Sequence, residues 1–358
     1  MNDLNIKFFQ KVSLVEKFNF YEYLSVMLDG GVTISETLDS VQTKLKNQFF
    51  KEKIRELQTY VSSWDSFSKS MKKIPQVFST WEISIVEAGE STWKLSASLA
   101  QLSENLRKNY DLRSKITWAL TYPAIIFVFL ILAIVIVLIY VIPAVSQLFE
   151  TSEVELPLAT KALIATSNFM IYNWIIILLF LATVWVLFYG YKNTETGRAN
   201  LDYFLLKFPL VWKVYRNYLL ASLSTNLWVL ISSWVPVVKS LGLSARSLNN
   251  LVYETHLISV MDKVSKGQKL TESLQEVDKT NELFPLDFLQ MLSVWEKTAS
   301  IDSVSIKLTQ QYSREVDYSL ARLTKWIEPI AILISWIFVL WFAFAIFGAI
   351  LKVTQTVS

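Results

Sequence analysis

The sequence of 358 residues predicts an all-α membrane protein: two homologous cytoplasmic helical-bundle domains plus three transmembrane helices. Three observations predict this. The composition is 53% hydrophobic and 14% aromatic, more apolar than an ordinary soluble domain. Three runs carry no charge, Ile116–Phe149, Ala162–Tyr191 and Pro329–Leu351. Each is long enough to span, since a bilayer core about 30 Å thick takes roughly 20 apolar residues as a helix. The chain also repeats itself: Phe78, Glu90, Thr92, Asp111 and Pro123 recur 206 residues later as Phe284, Glu296, Thr298, Asp317 and Pro329. Upstream, an offset of 203 aligns VTISETL (32–38) with VPVVKSL (235–241) and DSFSKSM (65–71) with QKLTESL (268–274).

The first copy, residues 1–115, reads as five or six short helices. Its opening, MNDLNIKFFQKVSLVEKFNFYEY, has charges where a signal peptide would be apolar. Gly30 and Gly31 end one helix, and T-I-S-E at 33–36 has the capping-box pattern that starts the next. The Trp64-Asp65 step and Pro75 break the chain, and S-T-W-E at 79–82 starts another helix with Ile83, Val86 and Ala88 on its apolar face. Beyond Thr92, Leu95, Leu99, Leu102 and Leu106 recur at helical spacing and predict one long helix leading from the bundle into the first span.

That span occupies residues 116–142, followed by a periplasmic loop (143–168), a second span (169–191), the second bundle (192–325), a third span (327–351) and a short periplasmic tail (352–358). Orientation follows from basic residues beside the spans: Arg107, Lys108, Arg113 and Lys115, then Lys192 and Arg198, then Arg314, Arg322 and Lys325. The loop between the first two spans has Glu150, Glu153 and Glu155 against Lys161. The positive-inside rule therefore puts the N-terminus and both bundles in the cytoplasm. The uncharged stretch 219–238 is long enough to span, but Ser222, Ser224, Thr225, Asn226, Ser232 and Ser233 make it costly in lipid, and it is read as a buried bundle helix.

Candidates for chemistry are few. There is no cysteine and a single histidine, His256, which reads as a helix residue of the core or its edge. The sequence holds no phosphate-binding glycine loop, no metal or cofactor pattern, and no basic stripe for nucleic acid. Glu90 and Glu296 invite a reading as an active-site carboxylate used twice. Neither has a histidine or second carboxylate at useful spacing, which favours a structural reading, in which each accepts hydrogen bonds from the first amides of the helix that follows it. Pro123 and Pro329 sit just inside their spans, either kinking them or starting a helix.

Four motifs together resemble a known family, the inner-membrane platform proteins of type II secretion and type IV pilus machines, known as the F component or PilC-type proteins. They are GVTISETL from Gly31, GESTWKL from Gly89 and Glu90, Tyr122-Pro123 entering the first span, and Glu328-Pro329 entering the third. Chain length and divergence point toward the type IVb pilus branch. The resemblance implies a protein without catalysis or cofactor in the bacterial inner membrane. It implies as partners a cytoplasmic hexameric assembly ATPase, pilin or pseudopilin subunits, other inner-membrane assembly proteins, the lipid bilayer and further copies of the chain, with no nucleic acid. The alternative class is a membrane transporter or channel subunit with regulatory cytoplasmic domains. It would need a polar path through the spans, where Thr183 and Ser335 are among the few polar side chains and no charge appears. The chain departs from the family pattern at Trp93, which replaces the second glycine of its motif, and at Trp234 and Trp295, which stand where copy one has Gly31 and Gly89. Tryptophan at a helix junction is expected to make the left-handed conformation costly in those turns and to change the loops of the second copy.

Overall fold

The structure, a computed structural model, describes residues 12–150, 157–209, 211–298 and 301–357. Among the described residues every regular element is helical, and the chain divides into two compact units. The first unit takes residues 1–115 and 202–317; the second takes 116–201 and 318–358.

In the first unit, copy one comprises α1 (Leu14–Asp29), α2 (Ile34–Lys44), α3 (Gln48–Ser62), α4 (Phe67–Lys72), α5 (Thr80–Ser91) and the start of α6 (Leu95–Ile136). Local chemistry starts them: Ser13 with Glu16, Thr33 with Glu36 and Ser79 with Glu82 each form a complete capping box. Phe20, Tyr21, Phe50 and Phe78 then meet in edge and tilted pairs at the centre of the copy, with ring centroids 5.2–6.5 Å apart. Leu99 and Leu102 of α6 are fully buried against this core, as the leucine spacing predicts.

Copy two follows the same order. It consists of the end of α10 (Glu195–Lys207), then α11 (Trp212–Ser232), α12 (Val237–Ser247), α13 (Leu251–Ser265), α14 (Leu270–Val277), α15 (Leu286–Thr298) and the start of α16 (Ile301–Val357). Its core has its own aromatic chain, Tyr253, Phe284, Phe288 and Tyr312, and Phe284 occupies the place of Phe78. The stretch 219–238 falls mainly in α11, where most of its polar side chains are buried and several are hydrogen-bonded. Ser224 and Thr225 donate to the carbonyls of Leu220 and Ala221 one turn back, at 2.8 and 2.7 Å, and Asn226 donates to the Ser247 hydroxyl at 2.7 Å. Val229, Leu230, Val235 and Leu243 of copy two join the core of copy one, so the two copies are in apolar contact along a seam. Polar bonds cross the same seam, from Asn105 to Asn226, from Ser233 to Gln101, and from Lys115 to Asp317 at 3.0 Å.

The second unit holds the rest of α6, a π turn (Val137–Val141), α7 (Ile142–Glu150), α8 (Leu158–Tyr172), α9 (Trp174–Lys192), the first residues of α10 and the rest of α16. A π turn displaces backbone hydrogen bonds, and the Ser167 hydroxyl of α8 donates to the carbonyl of Leu138 within it. Thr160 donates to Ala345 O at 2.5 Å, beside a small cluster of Leu138, Ile142, Leu163 and Ala345. The uncharged run 162–191 is divided at Asn173, which ends α8 and precedes α9. Three helical stretches, Leu95–Gln147, Trp174–Lys192 and Ile306–Leu351, are long and apolar enough to cross a membrane. None of the side chains of α9 is buried, an arrangement untenable in water for Ile175, Phe180, Trp185 and Leu187 and normal in lipid.

Candidate functional site

The two repeated glutamates have the same job in their respective copies. Glu90 lies in the last turn of α5, and its carboxylate accepts from the backbone N–H of Phe67 at 2.6 Å and of Ser68 at 3.1 Å, the first two amides of α4. Glu296, in the last turn of α15, accepts from the N–H of Leu270 and of Thr271 (3.3 Å) and from the Thr271 hydroxyl (2.5 Å), at the start of α14. The sequence reading named the right kind of bond and the wrong helix. The amides belong to the helix before the glutamate, 22 to 26 residues upstream, not to the one that follows. A six-residue helix such as α4 cannot hold itself. A carboxylate at its positive end satisfies orphan amides and staples it to α5. Each carboxylate is engaged inside its own copy, so the two do not form one paired site.

Gly31 and Gly89 serve different needs. Gly31 has φ +81° and closes α1 with a Schellman pair, Val32 N to Met27 O at 3.1 Å and its own N–H to Leu28 O at 3.0 Å. Gly89 is helical and buried. A Cβ there would stand 2.5 Å from Ser98 Oγ and 2.7 Å from Ser98 Cβ, so its bareness allows the end of α5 to lie against the start of α6.

The junction tryptophans Trp93 and Trp234 take the left-handed conformation despite its cost, and the expected change in the second copy's turn is not found at Trp234. Trp234 ends α11 at φ +66° with the same Schellman pair as Gly31, Val235 N to Leu230 O and Trp234 N to Ile231 O, both 2.9 Å. Trp93 does the same after α5 at φ +58°, and Trp64 after α3 is also left-handed, at φ +68°, with its N–H on Val61 O at 3.1 Å. A left-handed L residue costs about 1–2 kcal/mol. The capping hydrogen bonds and helix packing on either side carry that strain, and the three indoles project into solvent, 98%, 96% and 72% exposed for Trp64, Trp93 and Trp234. Trp295 has no such strain. It sits inside α15, 8% exposed, at the position that Gly89 holds in copy one.

Tyr122 is exposed on α6 and Pro123, next to it, is buried; Glu328 and Pro329 are both exposed on α16. Both prolines lie deep inside continuous helices, which removes the helix-start alternative. Each lacks an N–H and leaves one carbonyl of the preceding turn without its helical partner. His256 is half-buried on α13, with Nδ1 2.7 Å from the carbonyl of Val252. Among the described residues no group of three or more His, Asp or Glu is placed to hold a metal ion.

Two arrangements escaped the sequence reading. Asp278, 6% exposed, accepts from the N–H groups of Leu283 and Phe284, both at 2.8 Å, and folds the loop between α14 and α15 in copy two around itself. Lys17 of α1 and Glu82 of α5 form an ion pair with both oxygens 3.0 Å from Nζ, the side chains only 15% and 3% exposed. Beside it the hydroxyl of Tyr21 is buried with no hydrogen-bond partner. Burial first, and the charge of Glu82 second, hold the Tyr21 phenol well above its ordinary range. Nothing local in the sequence signals either arrangement.

A duplicated helical module, each copy running into an apolar helix of spanning length, defines a polytopic membrane protein assembled by internal repetition. The comparisons agree copy by copy. The family described as "Type II secretion system (T2SS), protein F" matches residues 20–143 and again 223–349. The chain belongs to this family, the type II secretion system protein F family. It is 30% identical over 339 residues to the type IV pilus assembly protein PilC of Thermus thermophilus, covering 95% of this chain and 82% of that one. PilC of Pseudomonas aeruginosa is 26% identical over 321 residues, 89% of this chain and 85% of its own. Type II secretion system protein F of the same organism is 26% identical over 336 residues, with coverage of 94% and 82%. These relatives are named for pilus assembly and secretion, and none of the three is named as an enzyme.

Proposed function

We propose that the chain is the inner-membrane platform of a type IV pilus or type II secretion machine, without catalysis of its own, coupling a cytoplasmic assembly ATPase to incorporation of pilin or pseudopilin subunits. The observation that carries this reading is near full-length likeness, across both copies and all three apolar stretches, to proteins named for pilus assembly. The basic residues flanking the spans support an orientation with the N-terminus and both bundles, 1–115 and 192–325, in the cytoplasm. In this reading the apolar seam between the two bundles makes them one rigid body, able to take up a displacement from the motor. Tyr122-Pro123 and Glu328-Pro329 are the joints through which α6 and α16 pass the displacement to the membrane. Self-association within the machine is part of the same proposal.

The test places a photo-crosslinking amino acid in living cells at Trp64 and, separately, at Lys279, both exposed. Capture of the assembly ATPase from one of them is the expected result and identifies the copy that faces it. Crosslinks to the chain itself alone, from both sites, would remove the coupling.

A further inference from the structure

The seam between the two copies contains a polar cavity of about 500 Å³, lined from copy one by Lys17, Glu82 and Arg113 and from copy two by Arg246. Among the described residues that line it Glu82 is the only carboxylate, and Lys17 already neutralises it. Arg113 and Arg246, one from each copy, bring two guanidinium groups to its lining. The Arg113 Nε donates to the Tyr218 hydroxyl at 2.9 Å, which orients its planar fork. Arg246 is exposed and has no carboxylate within ion-pair distance among the described residues.

Trp81 and Ser222 also line it, with the indole Nε1 of the one and the hydroxyl of the other enclosed in its wall. The charge is also confined to one copy. At the repeat offsets, Lys17 and Glu82 correspond to Leu220 and Phe288, which are buried apolar core residues. A buried ion pair stabilises no better than such an apolar pair, so its presence in copy one alone is not explained by packing.

We propose that this cavity binds a phosphate-bearing anion, held by the Arg113 and Arg246 forks and locking the two copies together. Two sources share that chemistry: a soluble phosphate compound and the headgroup of an anionic phospholipid. Arg113 stands three residues before the uncharged run that starts at Ile116, so a headgroup is within the logic of the sequence.

The probe is sodium pyrophosphate, titrated into the purified full-length chain in detergent micelles against chloride at matched ionic strength, with thermal unfolding as the readout. The expected result is a saturable rise of about 3 °C or more in the midpoint. Arg246→Gln, which removes a solvent-exposed group and leaves the cores intact, should lose at least half of it, while Arg198→Gln, outside the cavity, keeps it. Repeating the titration in nanodiscs separates the sources. A rise that persists in phosphatidylcholine and disappears in phosphatidylglycerol assigns the site to a headgroup, and a rise in both assigns it to a soluble phosphate. No saturable rise in micelles, or an equal rise in Arg246→Gln, overturns the proposal.

Discussion

Lys17→Leu is expected to destabilise the first unit by about 3 kcal/mol, the cost of leaving one member of a buried pair without its counter-charge. Glu82 would remain 3% exposed, held by the Ser79 N–H (2.6 Å) and hydroxyl (2.9 Å) and without a counter-charge. The double variant Lys17→Leu with Glu82→Gln should recover most of the loss. A neutral amide oxygen still accepts from Ser79, and the fold already tolerates an apolar pair at this place, since copy two has Leu220 and Phe288 there. Thermal or denaturant unfolding of the detergent-purified chain measures both. A single variant within about 1 kcal/mol of wild type, or a double variant no better than the single, would mean that the pair is more hydrated than its burial indicates.

Removing the repeated carboxylates should come next in size, and unequally. Glu296→Ala is expected to cost about 3 kcal/mol and Glu90→Ala about 2 kcal/mol, from the loss of charge-assisted bonds to helix-start amides. The difference has a local cause. The start of α4 retains the Ser66 side chain as a cap on the Lys69 amide, whereas the N-cap residue of α14 is Lys269, whose side chain makes no capping bond. Hydrogen exchange reads this at the amides themselves. Leu270 and Thr271 should lose protection in the first variant, and Phe67 and Ser68 in the second. Equal losses, or protection unchanged in both, would show that the amides are satisfied by other means.

What the sequence made legible was local or periodic. The capping boxes at Thr33 and Ser79 are patterns of four residues, and the bonds between Thr33 and Glu36 and between Ser79 and Glu82 follow from them. Apolar runs are legible because a bilayer demands an uninterrupted length, and the repeat because spacing survives when identity does not. The partners of Glu90 and Glu296 were not legible. A carboxylate at the end of one helix can reach amides on either side in the chain, and only the packing of α5 on α4 and of α15 on α14 decides which. Lys17 and Glu82 are 65 residues apart and no periodicity links them. The tryptophans misled for a further reason. Intrinsic preference argues against φ above zero for a bulky side chain, yet at Trp93 and Trp234 the Schellman hydrogen bonds outweigh a penalty of about 1–2 kcal/mol.

The most direct test of the platform assignment is the phenotype of the native host. The gene is deleted, surface fibres are counted by electron microscopy and the proteins released to the medium are compared, with and without complementation by the full chain. The account predicts loss of fibres or of a specific set of released proteins, restored by the wild-type chain. Fibres and released proteins both unchanged in the deletion strain would contradict it.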